Sequence, residues 1–275
     1  MAARAGAARL LLGAHMSIAG GVQRAIERAR SIHCTAMQIF VKNNMQWFAR
    51  PLTRAEIKAF LGHPQRAELD AVFAHANYLI NLAATNPQFH ANSIRALSEE
   101  LIRADQLRLP FIVLHPGAHL GAGEEAGLAQ VVASIDRIFA KIPKVKTRLA
   151  LETTAGQGSS LGHTFEHLAA IIAQVREPER LCVCLDTAHV FAAGFDLTSA
   201  AGTRKMFREF DRTIGLQRLV ALHLNDSKTA RGSRVDPGRD ASCTRDRRIP
   251  ANARVATSRG KTFSAGRCGV EREVA

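Results

Sequence analysis

From Leu10 to Leu222 the apolar residues fall into short continuous runs that alternate with longer stretches of three-to-four spacing. Short runs bounded by turn residues mark strands buried on both faces, and three-to-four spacing marks amphipathic helices. Residues 9–14, 36–41, 71–74, 111–114, 148–151, 181–185 and 219–222 predict seven strands. Helices are predicted over 20–30, 53–61, 93–107, 124–140, 164–175 and about 199–212. Thr53, followed three residues later by Glu56, has the form of a capping box opening the second helix. Residues 42–47 (Lys-Asn-Asn-Met-Gln-Trp) read as a polar loop after the second strand. Such alternation demands a parallel sheet joined by right-handed crossovers.

Five successive strands stop at residues that carry chemistry. His75, His115, Glu152 and His223 follow four of the runs, and Asp186 with His189 closes the fifth. A (β/α)8 barrel keeps its active site at the C-terminal ends of its strands, where the loops converge. An open doubly wound sheet also alternates, but it does not bring five strand ends to one point. The predicted fold class is therefore α/β, a (β/α)8 TIM barrel, and 275 residues suit a fold of about 250. Taken singly, Asp186 reads as a helix cap and each histidine as a hydrogen-bonded core residue. In series they point to metal. Imidazoles and carboxylates suit Zn²⁺, Mn²⁺ or Fe²⁺. With Asp236 the candidates number seven, more than one tetrahedral ion needs. That predicts two or three ions with a bridging carboxylate, an arrangement used in phosphoester hydrolysis.

Charge sharpens the choice of substrate. The formal net charge is +13, which favours a polyanionic partner such as nucleic acid. Residues 237–275 carry eight Arg and one Lys against four acids, so +5 sits in this segment and +8 on the rest. The segment is rich in Arg, Ala, Ser and Gly, without a sustained apolar period, which predicts a disordered basic tail and no eighth strand. The expected organisation is a short extension over 1–8, a barrel domain over 9–236 and the tail over 237–275. Five cysteines show no Cys-x-x-Cys spacing, as expected of reduced thiols in a cytoplasmic protein. No run of 18 apolar residues predicts a membrane span.

Eight motifs resemble the endonuclease IV family of DNA-repair enzymes, in family order. They are Gly13-Ala-His15-Met-Ser17 with Gly20-Gly21, Phe40-Val-Lys42-Asn43-Asn44-Met45-Gln46-Trp47, His75-Ala-Asn-Tyr78-Leu79-Ile-Asn81, His115-Pro-Gly-Ala-His119, Leu151-Glu152 with Gly156-Gln157-Gly158, Asp186-Thr-Ala-His189 with Gly194-Phe-Asp196, His223-Leu-Asn225-Asp226-Ser-Lys228, and Gly232-Ser-Arg234-Val-Asp236. The resemblance implies a xylose-isomerase-like barrel with a trinuclear, usually zinc, centre. The implied activity is hydrolysis of the phosphodiester 5′ to abasic sites in double-stranded DNA, within base excision repair. The implied ligands are His75, His115, Glu152, Asp186, His189, His223 and Asp236, with Glu152 bridging two ions and holding the nucleophile. Tyr78 and Leu79 match the pair that fills the gap beside an extruded abasic sugar, and Asn43, Gln46 and Trp47 match a loop at the DNA. Met45 stands where family members often carry Arg. His15 and His119 are expected behind the ligands, and the enzyme is expected to be a monomer.

After Asp236 the family pattern stops. Family members continue with an Arg, a His ligand and later a strand ending in a Glu ligand, whereas here Pro237-Gly238 follow. So sudden a break suggests a reading-frame change near codon 237. Fewer than three metals are expected in consequence. A catalytically impaired DNA-binding remnant is the first alternative, and a sugar isomerase or epimerase on a related metal barrel the second.

Overall fold

The computed structural model describes residues 11–236 and 254–257. The strands are β1 (Leu11–Met16), β2 (Ala36–Phe40), β3 (Ala71–His75), β4 (Phe111–Leu114), β5 (Arg148–Glu152), β6 (Leu181–Asp186) and β7 (Leu219–Leu224). Each pairs in parallel with the next. The helices are α1 (Arg24–Ser31), α2 (Arg54–Leu61), α3 (Pro87–Gln106), α4 (Glu124–Lys141), α5 (Phe165–Gln174), α6 (Thr187–Ala193) and α7 (Ala200–Thr213). The (β/α) barrel expected from the alternation is present.

Closure departs from expectation. A four-residue strand, β8 (Arg254–Thr257), pairs antiparallel with both β1 and β7 and closes the ring. The place of an eighth parallel strand is thus taken by a segment running the other way, and the edges of β1 and β7 are paired rather than open. Two facing edges of unpaired backbone groups supply the driving force for this strand. That is why its own sequence carries no apolar run to announce it. The remainder of the tail and residues 1–10 lie outside the described residues.

Two layers of core follow from the period-two alternation of strands. Phe73, Phe111, Val113, Ala150, Cys182, Cys184 and Ala221 pack together as a cluster drawn only from strands, the barrel interior. The outward-facing set, including Val72, Ile112, Leu149, Leu151, Val183 and Leu185, packs against the helices. Gly13 shows how tight the wall is. A β-carbon there would lie 1.7 Å from the Ala36 carbonyl oxygen, so β1 and β2 approach only because Gly has no side chain.

Local rules explain most boundaries. The Thr53–Glu56 capping box is formed as expected, with Glu56 Nα donating to Thr53 Oγ1 at 3.2 Å and Thr53 Nα donating to Glu56 Oε2 at 2.8 Å. Helix α3 begins six residues before the apolar period suggests, because Asn86 caps it and Pro87 occupies its first turn. Helix α6 is absent from the sequence expectation. Asp186 caps it by accepting the His189 amide at 2.9 Å.

Candidate metal centre

Inward-facing positions recur every second residue, so the last inward position of each strand sits directly above the interior cluster. His75 follows Phe73, His115 follows Val113, Glu152 follows Ala150, Asp186 follows Cys184 and His223 follows Ala221. Neighbouring strands then place these residues side by side. Asp186 is in register with His223, and Glu152 with Cys184.

Glu152 is the hub, and it is 1% exposed. Its Oε2 lies 3.1 Å from His75 Nε2 and 3.0 Å from His115 Nε2. Its Oε1 lies 2.7 Å from His223 Nδ1 and 3.6 Å from His189 Nδ1. Asp186 Oδ2 lies 3.8 Å from His223 Nδ1, and Asp236 Oδ1 lies 3.6 Å from His189 Nε2. Four imidazoles therefore meet at one carboxylate, and Asp186 and Asp236 join the cluster through His223 and His189. Three overlapping groups have ligand atoms within 4.8 Å of one another: His75–His115–Glu152, Glu152–Asp186–His189, and Glu152–Cys184–His223.

The donor chemistry of the cluster fits cations. The Nδ1–H of His75 donates to the Ala76 carbonyl at 2.7 Å, leaving the Nε2 lone pair of the neutral ring pointed at the Glu152 carboxylate. His189 repeats the pattern. Its Nδ1–H donates to the Thr153 carbonyl at 2.8 Å, and its Nε2 faces Asp236. A lone pair facing a buried carboxylate is unfavourable unless a proton or metal ion lies between them. Burial works to lower the pKa of His189, but Asp186, Asp236 and Glu152 outweigh it and push it up to about 9. Burial lowers that of His75. Glu152 stays ionised well below the usual carboxylate range: burial opposes this, but His223 and His115 prevail. Paired hydrogen-bonded nitrogens of this kind fix ligand tautomers in metal sites.

A chain of contacts that sequence reasoning missed stands behind His223. Its Nε2–H donates to Gln38 Oε1 at 2.8 Å, and Gln38 Nε2 donates to His15 Nδ1 at 2.9 Å. Gln38 is 2% exposed. His15 accepts on Nδ1, so its proton is on Nε2, an atom with no hydrogen-bond partner. Burial, with the neighbouring His75 and His223, lowers the His15 pKa to about 3. Asn225, another unforeseen member, donates from Nδ2 to Asp186 Oδ2 at 2.6 Å. A polar residue in mid-strand was the only signal for Gln38. His119 instead accepts the Gly123 amide at 3.0 Å in a loop turn.

A second group, Glu124–His163–His167, also clusters. Gly162 Nα donates to His167 Nδ1, so the proton of that ring sits on Nε2, facing Glu124. The Arg234 guanidinium contacts His163 Nε2 and fills the position a cation would take. The trio braces the loop that carries Asp236.

The remaining candidates lie on two loops, those that follow β2 and β3. Tyr78 is 55% exposed and Met45 74%. Asn43 and Gln46 are exposed, and Leu79 is half-buried. Trp47 packs edge-on to Phe89 with ring centroids 5.6 Å apart and leans on the core, so it supports the loop more than it projects from it. A cleft of about 540 Å³ opens beside the centre, lined by His75, Tyr78, Leu79, His115, Gln157 and Asp236 among others. No helix among the described residues is long and apolar enough to cross a membrane.

A family model for xylose isomerase-like TIM barrels matches residues 26–253. A Chloroflexus aurantiacus protein named "Probable endonuclease 4" is 48% identical over 224 residues, 82% of this chain and 79% of the relative. A Geobacter sulfurreducens protein of the same name is 48% identical over 225 residues, 82% and 76%. The crystal structure of endonuclease IV from Thermus thermophilus superposes with a TM-score of 0.69 at 36% identity, covering 81% of this chain and 78% of that one. A D-tagatose 3-epimerase-like protein shares the fold alone, at 19% identity and a TM-score of 0.59. With its fold, its strand-end cluster and these likenesses together, the chain belongs to the endonuclease IV family of xylose isomerase-like barrels.

Proposed function

We propose that this chain is a metal-dependent DNA-repair endonuclease that hydrolyses the phosphodiester 5′ to an abasic site, leaving a 3′-hydroxyl and a 5′-deoxyribose phosphate. The observation that carries the proposal is the convergence of four imidazoles on the buried Glu152 carboxylate, with the lone pairs of His75 and His223 facing it. His75 and His115 with Glu152 would hold one divalent cation and Asp186 and His223 with Glu152 a second, while His189 and Asp236 offer a third only two ligands. Zn²⁺ suits this mixed nitrogen and oxygen set, and Mn²⁺ and Fe²⁺ share the preference. Such cations supply Lewis acidity toward phosphate oxygens and lower the pKa of water toward neutrality.

The chain's own residues do the rest. Glu152 sits between the ligand pairs and is held ionised, as a bridge requires. Tyr78 and Leu79 stand at the rim, where an apolar wedge fills the gap left by an unstacked nucleotide. Asn43 and Gln46, exposed on the neighbouring loop, are positioned for the backbone or bases, with Trp47 behind them. The basic surface supplies phosphate attraction.

The impaired-remnant alternative rests on one sequence fact. Pro237-Gly238 stand where the family pattern has an Arg and a His ligand. An end-labelled duplex with one abasic site tests both readings under Zn²⁺, Mn²⁺ and Fe²⁺. Incision giving a 3′ end that a polymerase extends directly supports the proposal. Tight binding without incision under any ion supports the remnant, and neither binding nor incision overturns both.

A further inference from the structure

Among the described residues, the most deeply buried ion pair outside the metal centre joins Lys42 and Glu100, 2.9 Å apart and 3% and 1% exposed. It belongs to a closed ring. Lys42 Nζ also donates to the Gln46 carbonyl at 2.6 Å. Asn77 Nδ2 donates to the same carbonyl at 2.7 Å. The Asn77 amide returns to the other oxygen of Glu100 at 3.1 Å. Asn77 Oδ1 in turn accepts the Leu79 amide at 2.7 Å. One turn along α3, Arg103 donates to the carbonyls of Val41 and Arg50 at 2.9 and 2.7 Å.

We infer that Glu100 is a positioning residue for damage recognition, locking the loop of residues 42–47 and the loop carrying Tyr78 and Leu79 into one preformed unit. The inference rests on the proposed function, in which both loops face DNA. One carboxylate, not itself a candidate metal ligand, reaches both loops by different oxygens, and a single carbonyl, that of Gln46, ties them a second time. Charges so buried carry a heavy desolvation cost, and apolar pairs of similar volume often match or exceed such pairs in stability. What an apolar pair cannot supply is the directional hold on the Asn77 amide and the Gln46 carbonyl. A recognition surface built before DNA arrives avoids the ordering entropy of two mobile loops.

Glu100→Gln and the double variant Lys42→Met/Glu100→Leu test this in the full chain. The readouts are the affinity for a duplex holding a tetrahydrofuran abasic analogue relative to the intact duplex, amide exchange, thermal midpoint, and metal content. Hydrolysis of bis(p-nitrophenyl) phosphate, too small to need either loop, reports the centre itself. Glu100→Gln is expected to lose at least tenfold of the damaged-over-intact preference. Exchange should rise in residues 43–47 and 77–80 together, with metal content and diester hydrolysis unchanged. The double variant should regain the parental midpoint without regaining the preference. The inference is overturned if Glu100→Gln keeps its preference within twofold, if exchange rises in one loop only, or if the double variant recovers preference along with stability. A parent protein with no preference for the damaged duplex would sink the proposed function instead, and the exchange comparison would still decide the coupling.

Discussion

Replacing Gln38 by Ala separates the centre's supports from its ligands. Gln38 is buried and holds the Nε2–H of His223 at 2.8 Å while donating to His15 Nδ1 at 2.9 Å. Alanine leaves both groups buried without a partner. An unsatisfied buried polar group costs about 1–3 kcal/mol. Two of them give about 2–6 kcal/mol if no water enters the gap, a large share of the roughly 5–15 kcal/mol that holds a domain folded. In the loaded protein, losing the partner behind a ligating imidazole weakens metal binding about 10–100-fold. Gln38→Glu is expected to behave differently. Its carboxylate still accepts from His223, and His15 can move its proton to Nδ1 and donate, since its Nε2 has no partner to lose. The assays are urea unfolding of metal-free protein and competition for Zn²⁺ with a chromophoric chelator. Gln38→Ala should unfold earlier and release Zn²⁺ more readily, with Gln38→Glu closer to the parent in affinity. A Gln38→Ala protein with parental midpoint and parental Zn²⁺ affinity would refute the reasoning.

Two further outcomes follow from the same structure. Burial raises the Cys182 and Cys184 thiols to about 12 and 11, so native protein at pH 8 should leave both unalkylated by iodoacetamide until it is unfolded; rapid labelling of either in peptide mass spectrometry would contradict the packed interior. With Pro237-Gly238 in place of the family's next ligand, native mass spectrometry should find fewer than three divalent ions per molecule, the His75–His115–Glu152 group keeping its ion best, and three tightly bound ions would show the count to be wrong.

The strand-end chemistry was legible because a barrel converts one-dimensional spacing into convergence. Five of the seven ligand-type residues lie two positions beyond an interior residue, as with Phe73 and His75 or Ala221 and His223, the exceptions being His189 and Asp236. Asp186 looked like either a cap or a ligand, and geometry makes it a cap through Oδ1 with Oδ2 turned toward His223. What sequence could not convey was pairing between distant positions. Gln38 is one polar residue inside an apolar strand, and only the closed barrel brings it to His223, 185 residues away. Glu100 reads as a surface acid on a helix until α3 packs it against Lys42. The pairing of β8 arises from edges that other strands leave open, so no local pattern foretold it.

The central claim is that Glu152 organises a metal centre that cleaves DNA held by separate surfaces. Single-turnover incision of an abasic duplex by the parent and by Glu152→Gln, at matched metal content, addresses it directly. The amide retains the shape but neither bridges cations nor accepts a proton. The expected loss is at least about 100-fold in the cleavage rate, or about 2.7 kcal/mol. Duplex affinity should change less than tenfold, since Tyr78, Asn43 and Gln46 lie on other loops. Cleavage by Glu152→Gln within tenfold of the parent rate would contradict the account.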